Sequence, residues 1–510
     1  MKAARARDAL AGAVAAGLGL GVSELVAGLV TSAPSLVEGL GDRMIDNVPA
    51  AVKDWAISVF GTADKVALLV GIAVVTVLVG AAVGVVARRR FIVAVGVFVG
   101  FGLIAPWAAT TATVSFASGL IPAAAAVIAG LATLRMLQDV TSQPWGAAPG
   151  VADGTRRRFI VASTAVVGVA ALSAGLGRVL IERAKRVVAG REDVVLPTAA
   201  EPLPAVAAEA DLAVDGLSPV IVPNEDFYRI DAALSVPRVN LEEWTLSLTG
   251  LVERPYTIDF ADLLGMEMVE RDITLSCVSN PVGGDLVGNA RWLGVPLVEI
   301  LDRAAVAPEA EQIVGRSVDG FTVGFPVEAA YDGREALIAV GMNGEPLPFE
   351  HGFPARLVVA GLYGYVSATK WLSEIELTTW EGFDAYWVPR GWAKEAPVKT
   401  QSRIDTPTDG SRVTAGAVTV AGVAWAPTRG IAKVEVQLGV DGEWREAELS
   451  EPLSENAWVQ WRVDWEAPPG RHIVTCRATD GAGELQTDEI TPPAPDGATG
   501  WHRRAIQVDA

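Results

Sequence analysis

The side chains able to do redox or metal chemistry are few, and most stand in one stretch of the chain. Two cysteines occur in 510 residues, Cys277 and Cys476, with three histidines, His351, His472 and His502. Two cysteines exclude a disulfide scaffold. Cys277 stands in Leu275-Ser-Cys277-Val-Ser-Asn280, where an alternating run gives way to a loop. A thiolate there is a soft ligand for a transition metal. The same thiol, sharing a face with Ile273 and Leu275, also reads as a plain core residue. Cys476 shares a strand face with Val474 and Ala478 and reads as core. Downstream of Cys277, His351-Gly-Phe-Pro-Ala-Arg356 precedes Gly364 and Lys370-Trp371-Leu372. Arg356 offers a planar fork of donors and Lys370 a point charge. In an acidic domain either could serve only in salt bridges, and His351 could be a satisfied core histidine. Upstream, Asn224-Glu-Asp-Phe227-Tyr228 pairs a possible helix cap with two aromatics that could be core.

Short strands and helices must position these groups. Trp244–Gly250 alternates like a strand, Asp259–Leu264 reads as a short helix, and Arg271–Cys277 as a second strand. With a helical Leu297–Ala305 this predicts an α+β domain over 223–398. Residues 191–222, rich in Pro, Ala and acids and without periodicity, read as a linker. From 399 to 510 the pattern is all-β. Val418 and Val420, then Val434, Val436 and Leu438, alternate with polar residues, and Asp441-Gly442 and Asp480-Gly481 mark turns. That fits an immunoglobulin-like sandwich, with Trp425, Trp444, Trp458, Trp461 and Trp465 filling core and interface.

The remaining 190 residues belong to a different solvent. Residues 1–190 carry 17 Lys and Arg against 10 Asp and Glu, a net of +7, while the rest nets −26. A basic apolar part joined to an acidic polar one predicts a membrane anchor and an exposed domain, and argues against nucleic acid. Segments 66–87, 91–114, 115–134 and 159–181 read as spanning helices, with 9–30 a weaker fifth. Basic residues at 2–7, 88–90, 135 and 156–158 all fall inside when the N-terminus is inside, which places everything after residue 182 outside. No histidine occurs in this part, so no bis-histidine haem is expected there.

Leu275–Asn280, the run Gly288-Asn-Ala-Arg-Trp292-Leu-Gly294-Val-Pro-Leu297, the His351–Arg356 and Lys370–Leu372 pair, and Asn224–Tyr228 together resemble the molybdopterin domain of the sulfite oxidase family. The match runs in the family's order over residues 220–510. The tail, with Cys476-Arg-Ala-Thr-Asp480, resembles that family's C-terminal dimerisation domain. The resemblance implies a molybdenum–molybdopterin cofactor with Cys277 as metal ligand and catalytic residue. It implies that Arg356 and Lys370 hold the pterin phosphate, that His351 donates to the pterin, and that Asn224, Phe227 and Tyr228 contact the cofactor. Tyr386 falls where the family carries an active-site tyrosine. The implied partners are a small oxo-donor or oxo-acceptor, a separate electron carrier (cytochrome c or a quinone-linked protein), membrane lipid and a second copy of the chain.

The departures concern the substrate. Where sulfite oxidases place an arginine after the paired aromatics this chain has Ile230, with Arg229 one position early, and Pro281 and Val282 stand where arginines follow the Cys-x-x-Asn. The expectation is a multi-domain, multi-pass protein of a bacterial cytoplasmic membrane, its catalytic domain extracytoplasmic, transferring oxygen atoms at molybdenum. Thr155-Arg-Arg-Arg-Phe-Ile160 resembles a twin-arginine export signal that would carry that domain across already loaded. A strict sulfite oxidase, with Arg229 or Arg291 as compensating cation, and a non-enzymatic membrane receptor are the alternatives.

Overall fold

The computed structural model describes residues 2–30, 33–48, 52, 59–60, 64–110, 115–142 and 151–510. The end of the expected 91–114 span, residues 111–114, lies outside them. The chain forms two units, one of residues 1–189 with 233–236 and one of 190–232 with 237–510.

The first unit is helical: α1 (Lys2–Leu29), α2 (Leu36–Asn47), α3 (Asp64–Ala87), α4 (Phe91–Ala108), α5 (Phe116–Ser142) and α6 (Val151–Ala189). Among the described residues, all of these but α2 are long and apolar enough to cross a membrane. Small residues let α1 pack against its neighbours backbone to backbone. A Cβ on Gly12 would meet Gly80 O of α3 at 2.0 Å, and one on Gly21 would meet Ala170 O of α6 at 2.4 Å. Such close approach of backbones gives van der Waals packing between helices whose facing residues are small. Nothing in the periodicity announced α2. Ser35 caps it, its Oγ accepting from the Glu38 N–H at 3.2 Å.

The second unit begins with β1 (Thr245–Gly250), β2 (Tyr256–Asp259), α7 (Phe260–Leu264), β3 (Val269–Ser276), β4 (Val287–Pro296) and α8 (Leu297–Ala304). It continues with β5 (Gln312–Ser317), β6 (Thr322–Pro326), β7 (Ala336–Met342), β8 (Glu345–Pro346), β9 (Arg356–Val359), α9 (Gly364–Ser367) and β10 (Leu372–Thr378). One sheet has the order β2-β1-β10-β5-β6, with β1 and β10 parallel; the other runs β3-β4-β7-β8, with β9 paired to β7. Asp259 caps α7 with a reciprocal capping box, which fixes the predicted helix start.

The β-rich remainder holds β11 (Gln401–Thr406), β12 (Arg412–Thr414), β13 (Gly416–Trp425), β14 (Ile431–Leu438) and β15 (Trp444–Glu446). Then come β16 (Glu448–Leu449), β17 (Val459–Ala467), β18 (Gly470–Asp480) and β19 (His502–Asp509). The sheets β11-β13-β17-β16 and β12-β19-β18-β14-β15 share a core of Ile404, Val420, Val436, Trp461, Cys476 and Ile506. Cys476 is fully buried there and accepts from Ser402 Oγ at 3.3 Å.

Residues 191–222 contain no long regular element, in keeping with their missing periodicity, yet they are not loose. They lie along the second unit. The Val220 carbonyl accepts from Asn289 Nδ2 and from Trp458 Nε1, both at 2.9 Å, and Arg191 donates to the carbonyls of Pro346 and Leu347. The indole of Trp461 is wholly buried between the two C-terminal sheets. Trp461→Ala should therefore cost about 3–5 kcal/mol, read as a lowered midpoint in chemical denaturation.

Candidate active site

Three segments converge on Cys277. The first is its own loop. β3 ends at Ser276, and the Cys277 N–H donates to Leu286 O at 2.9 Å. Asn280 closes the loop: its N–H donates to Cys277 O at 3.1 Å and its Oδ1 accepts from the Leu286 N–H at 3.0 Å. The thiol is thus fixed at the mouth of a strand, 8% exposed. Burial pushes its pKa up, against hydrogen bonds with Ser279 and the charge of Lys370.

The second segment runs from His351 to Trp371. Gly352 has φ +110°, and a Cβ there would meet Lys370 Cα at 3.0 Å and Arg356 Cβ at 3.1 Å. Only glycine allows the His351 turn to lie this close to the Lys370 backbone. Trp371 also adopts φ +51°, costly for a bulky residue. Its indole holds it there by donating to Phe349 O at 2.8 Å, while Trp371 O accepts from the Val318 N–H at 3.0 Å.

The third segment is 224–231. Asn224 Oδ1 accepts from Asn343 Nδ2 at 2.8 Å, and Asn224 Nδ2 donates to Met342 O at 3.2 Å. Asn224 O pairs with His351 Nε2 at 2.9 Å, so the asparagine orients the histidine. Phe227 stacks on Tyr228 and meets Trp292 and His351 edge-on. Asn224, Phe227, Arg229, Asn343, Glu350 and His351 lie on the wall of a cleft of about 810 Å³. Cys277, Arg356 and Lys370 are not on that wall.

The electrostatics are unusual for a protein interior. Arg356 is 5% exposed and donates to His351 O at 3.1 Å, its guanidinium 5.0 Å from the Trp292 ring centre. Among the described residues it has no carboxylate partner, and burial lowers its pKa to about 10. Lys370 donates to Asp231 at 3.1 Å and to Glu350 O at 3.3 Å, and burial lowers it to about 8. Asp231 also accepts from Arg229 Nε at 2.8 Å, so one carboxylate serves two cations. Asp319, in the turn after β5, has its carboxyl raised by burial, with Asp231 and Lys370 as charged neighbours. His351 is held neutral, its pKa lowered by burial to about 4.

Of the residues singled out from sequence, Asn224, Phe227, Tyr228, Cys277, His351, Arg356 and Lys370 form one connected group. Tyr386 belongs to an aromatic cluster, tilted against Phe321 and edge-on to Trp387, beneath the Arg390 guanidinium at 3.7 Å. The Cys277 thiol acts electrostatically on the Tyr228 and Tyr363 phenols, both raised by burial, the latter to about 12. Tyr363, Asp231 and Asp319 escaped sequence reasoning. The only signals were an acid two residues past Arg229 and an Asp-Gly turn at Asp319-Gly320. Arg291 cannot readily serve as an anion clamp, because its guanidinium is bidentate to Asp272 at 2.8 and 2.9 Å.

Residues 233–387 match the domain family described as oxidoreductase molybdopterin binding domain. The uncharacterized oxidoreductase YuiH of Bacillus subtilis (strain 168) is 33% identical over 153 residues, 30% of this chain and 74% of YuiH. The chain belongs to the sulfite oxidase family of molybdopterin oxidoreductases. The mitochondrial sulfite oxidase of Mus musculus is 28% identical over 340 residues, covering 56% of this chain and 62% of that one. The chain spans about three fifths of the length of the mitochondrial sulfite oxidases of mouse and human. The sulfane dehydrogenase SoxCD from Paracoccus pantotrophus shares the fold, with a TM-score of 0.50 at 22% identity over 62% of this chain and 92% of that one.

Family membership implies a molybdenum cofactor, and the donor set fits one. A buried thiol, a buried guanidinium without a carboxylate and a buried ammonium suit a soft metal beside an anionic group.

His351 also sets a pH dependence. The unfolded chain binds a proton at His351 below about pH 6.5, the native chain only below about 4. Stability should therefore fall as pH drops through that window, by on the order of 3 kcal/mol. His351→Gln should flatten the fall, measured by thermal unfolding of the full-length protein in detergent between pH 7 and pH 4.

Proposed function

We propose that this chain is a membrane-anchored molybdopterin-dependent oxidoreductase that exchanges an oxygen atom with a small substrate on the extracytoplasmic side. The observation that carries it is the buried Cys277 thiol grouped with Arg356 and Lys370 in a chain of this family. When bound, the cofactor supplies the metal at which an oxygen atom and two electrons are exchanged. Cys277 would provide the one protein sulfur. Arg356 and Lys370 would hold the pterin phosphate, which explains why two cations are buried with so little carboxylate. His351, kept neutral and oriented by the Asn224 carbonyl, would bond the pterin without adding charge. Phe227 and Tyr228 would form the apolar wall, and a neutral Tyr228 or Tyr386 phenol would donate to a substrate oxygen.

Residues 223–398 act as the cofactor domain and 399–510 as an immunoglobulin-like dimerisation domain in this reading. With Ile230, Pro281 and Val282 in place of arginines and Arg291 tied to Asp272, the substrate carries less negative charge than sulfite. Electrons leave to or arrive from a separate carrier.

Cys277→Ser should leave the protein folded yet abolish turnover with a redox dye, because a hydroxyl is a poor soft ligand. Metal analysis should find molybdenum in the parent protein; undiminished turnover in the variant would remove the assignment. Export is tested separately. Arg156→Lys with Arg157→Lys should strand the loaded domain inside, while the same changes at Arg88 and Arg89 should not, as read by protease accessibility on spheroplasts.

A further inference from the structure

The loop that carries Cys277 is held at its far end by the β-rich remainder of the same unit. The tip of that loop is Gly283-Gly284. Gly283 has φ +76°, and a Cβ there would meet Cδ2 and Nε2 of His502, in β19, at 2.2 Å. No side chain fits between the loop and that imidazole. Gly284 O accepts from Nη1 of Arg403, in β11, at 2.8 Å, while a Cβ on Gly284 would meet Asn280 Oδ1 at 2.4 Å.

Both holding groups are themselves fixed. Arg403 is 7% exposed; its Nε donates to Asp405 Oδ1 at 2.6 Å and its Nη2 to Ser218 Oγ at 2.8 Å. His502 Nδ1 accepts from the Ile404 N–H at 3.0 Å. Burial holds the ring neutral, its pKa lowered to about 4, so its hydrogen sits on Nε2, beside the loop. The grip is passed inward by short bonds. The Gly284 N–H donates to Pro281 O at 2.9 Å, and Asn280 ties Cys277 O to the Leu286 N–H. A displaced tip therefore moves Asn280, and Asn280 moves Cys277.

We infer that Arg403 and His502 are positioning residues for Cys277, so that the all-β part of the chain fixes the orientation of the thiol. Both act through the Gly283-Gly284 backbone. Groups that orient a metal ligand in this way commonly matter almost as much as the ligand. The inference rests on the proposed role of Cys277 as the protein sulfur, and it gives residues 399–510 a part in the site.

The test compares full-length parent protein in detergent with Arg403→Met, His502→Ala and Arg403→Lys. Hydrogen exchange read by mass spectrometry reports on the loop whether or not a cofactor is bound. Amides of residues 277–286 should exchange about tenfold faster or more in Arg403→Met and His502→Ala. Arg403→Lys retains a charged donor for Gly284 O and should stay near the parent rate. In molybdenum-containing protein partly reduced with dithionite, the first two variants should also shift the g values of the Mo(V) paramagnetic resonance signal, and Arg403→Lys should restore them. Parent exchange rates in both variants, or faster exchange with an unchanged Mo(V) signal, overturn the inference. Should Arg403→Met fail to fold, His502→Ala alone decides. Parent protein without molybdenum, with faster loop exchange in the variants, would overturn the oxidoreductase reading and leave the hold on Cys277 standing.

Discussion

A guanidinium without a carboxylate, shut away from water, is the constraint around which the second unit is organised. Burying such a charge costs several kcal/mol unless its donors are met. Arg356 meets part of that cost through the His351 carbonyl and the face of Trp292. β9 anchors its backbone against β7, Gly352 lets the His351 turn close over it, and Trp371 accepts an unfavourable backbone angle beside Lys370. None of these features is the cheapest local choice. Each keeps two cations and one thiol near each other, an arrangement that mutual repulsion would otherwise disperse. Backbone strain at Trp371 and a buried guanidinium without a carboxylate partner among the described residues thus lie in one segment of the chain.

The two units solve opposite solvation problems. In the second, ordinary burial of Trp, Ile and Val between sheets provides the driving force, and the indole N–H groups of Trp425 and Trp461 and the Gln312 amide are buried there without a hydrogen-bond partner among the described residues. In the first, apolar side chains are exposed along most of their helices, and cohesion comes from glycines and alanines that bring backbones together. One chain therefore reads as too apolar or too charged, depending on which half is averaged in.

Much of this was legible from residues alone. The long apolar helices announced themselves by length and apolarity, β3 by its alternation, and the group formed by Cys277, His351, Arg356 and Lys370 by ordered motifs. What stayed hidden depends on tertiary contact. No local pattern shows that Asp231 bridges Arg229 and Lys370, that Tyr363 lies near the thiol, or that Tyr386 packs against Phe321 and Trp387. Helix α2 is short and interrupted by charge, so periodicity passes over it. Arg291 looked available because its partner Asp272 sits on a different strand.

The segment from Arg191 to Val222 has a practical meaning for anyone wishing to isolate the second unit. Val220 offers one carbonyl to two buried donors, Asn289 from β4 and Trp458 from just before β17. A fragment begun at Pro223, where the linker read from the sequence ends, would orphan both at once. Each buried, unpaired donor costs about 1–3 kcal/mol. A fragment begun at Arg191 keeps this strap, and with it the seam that joins the α+β part to the two β-sheets behind it.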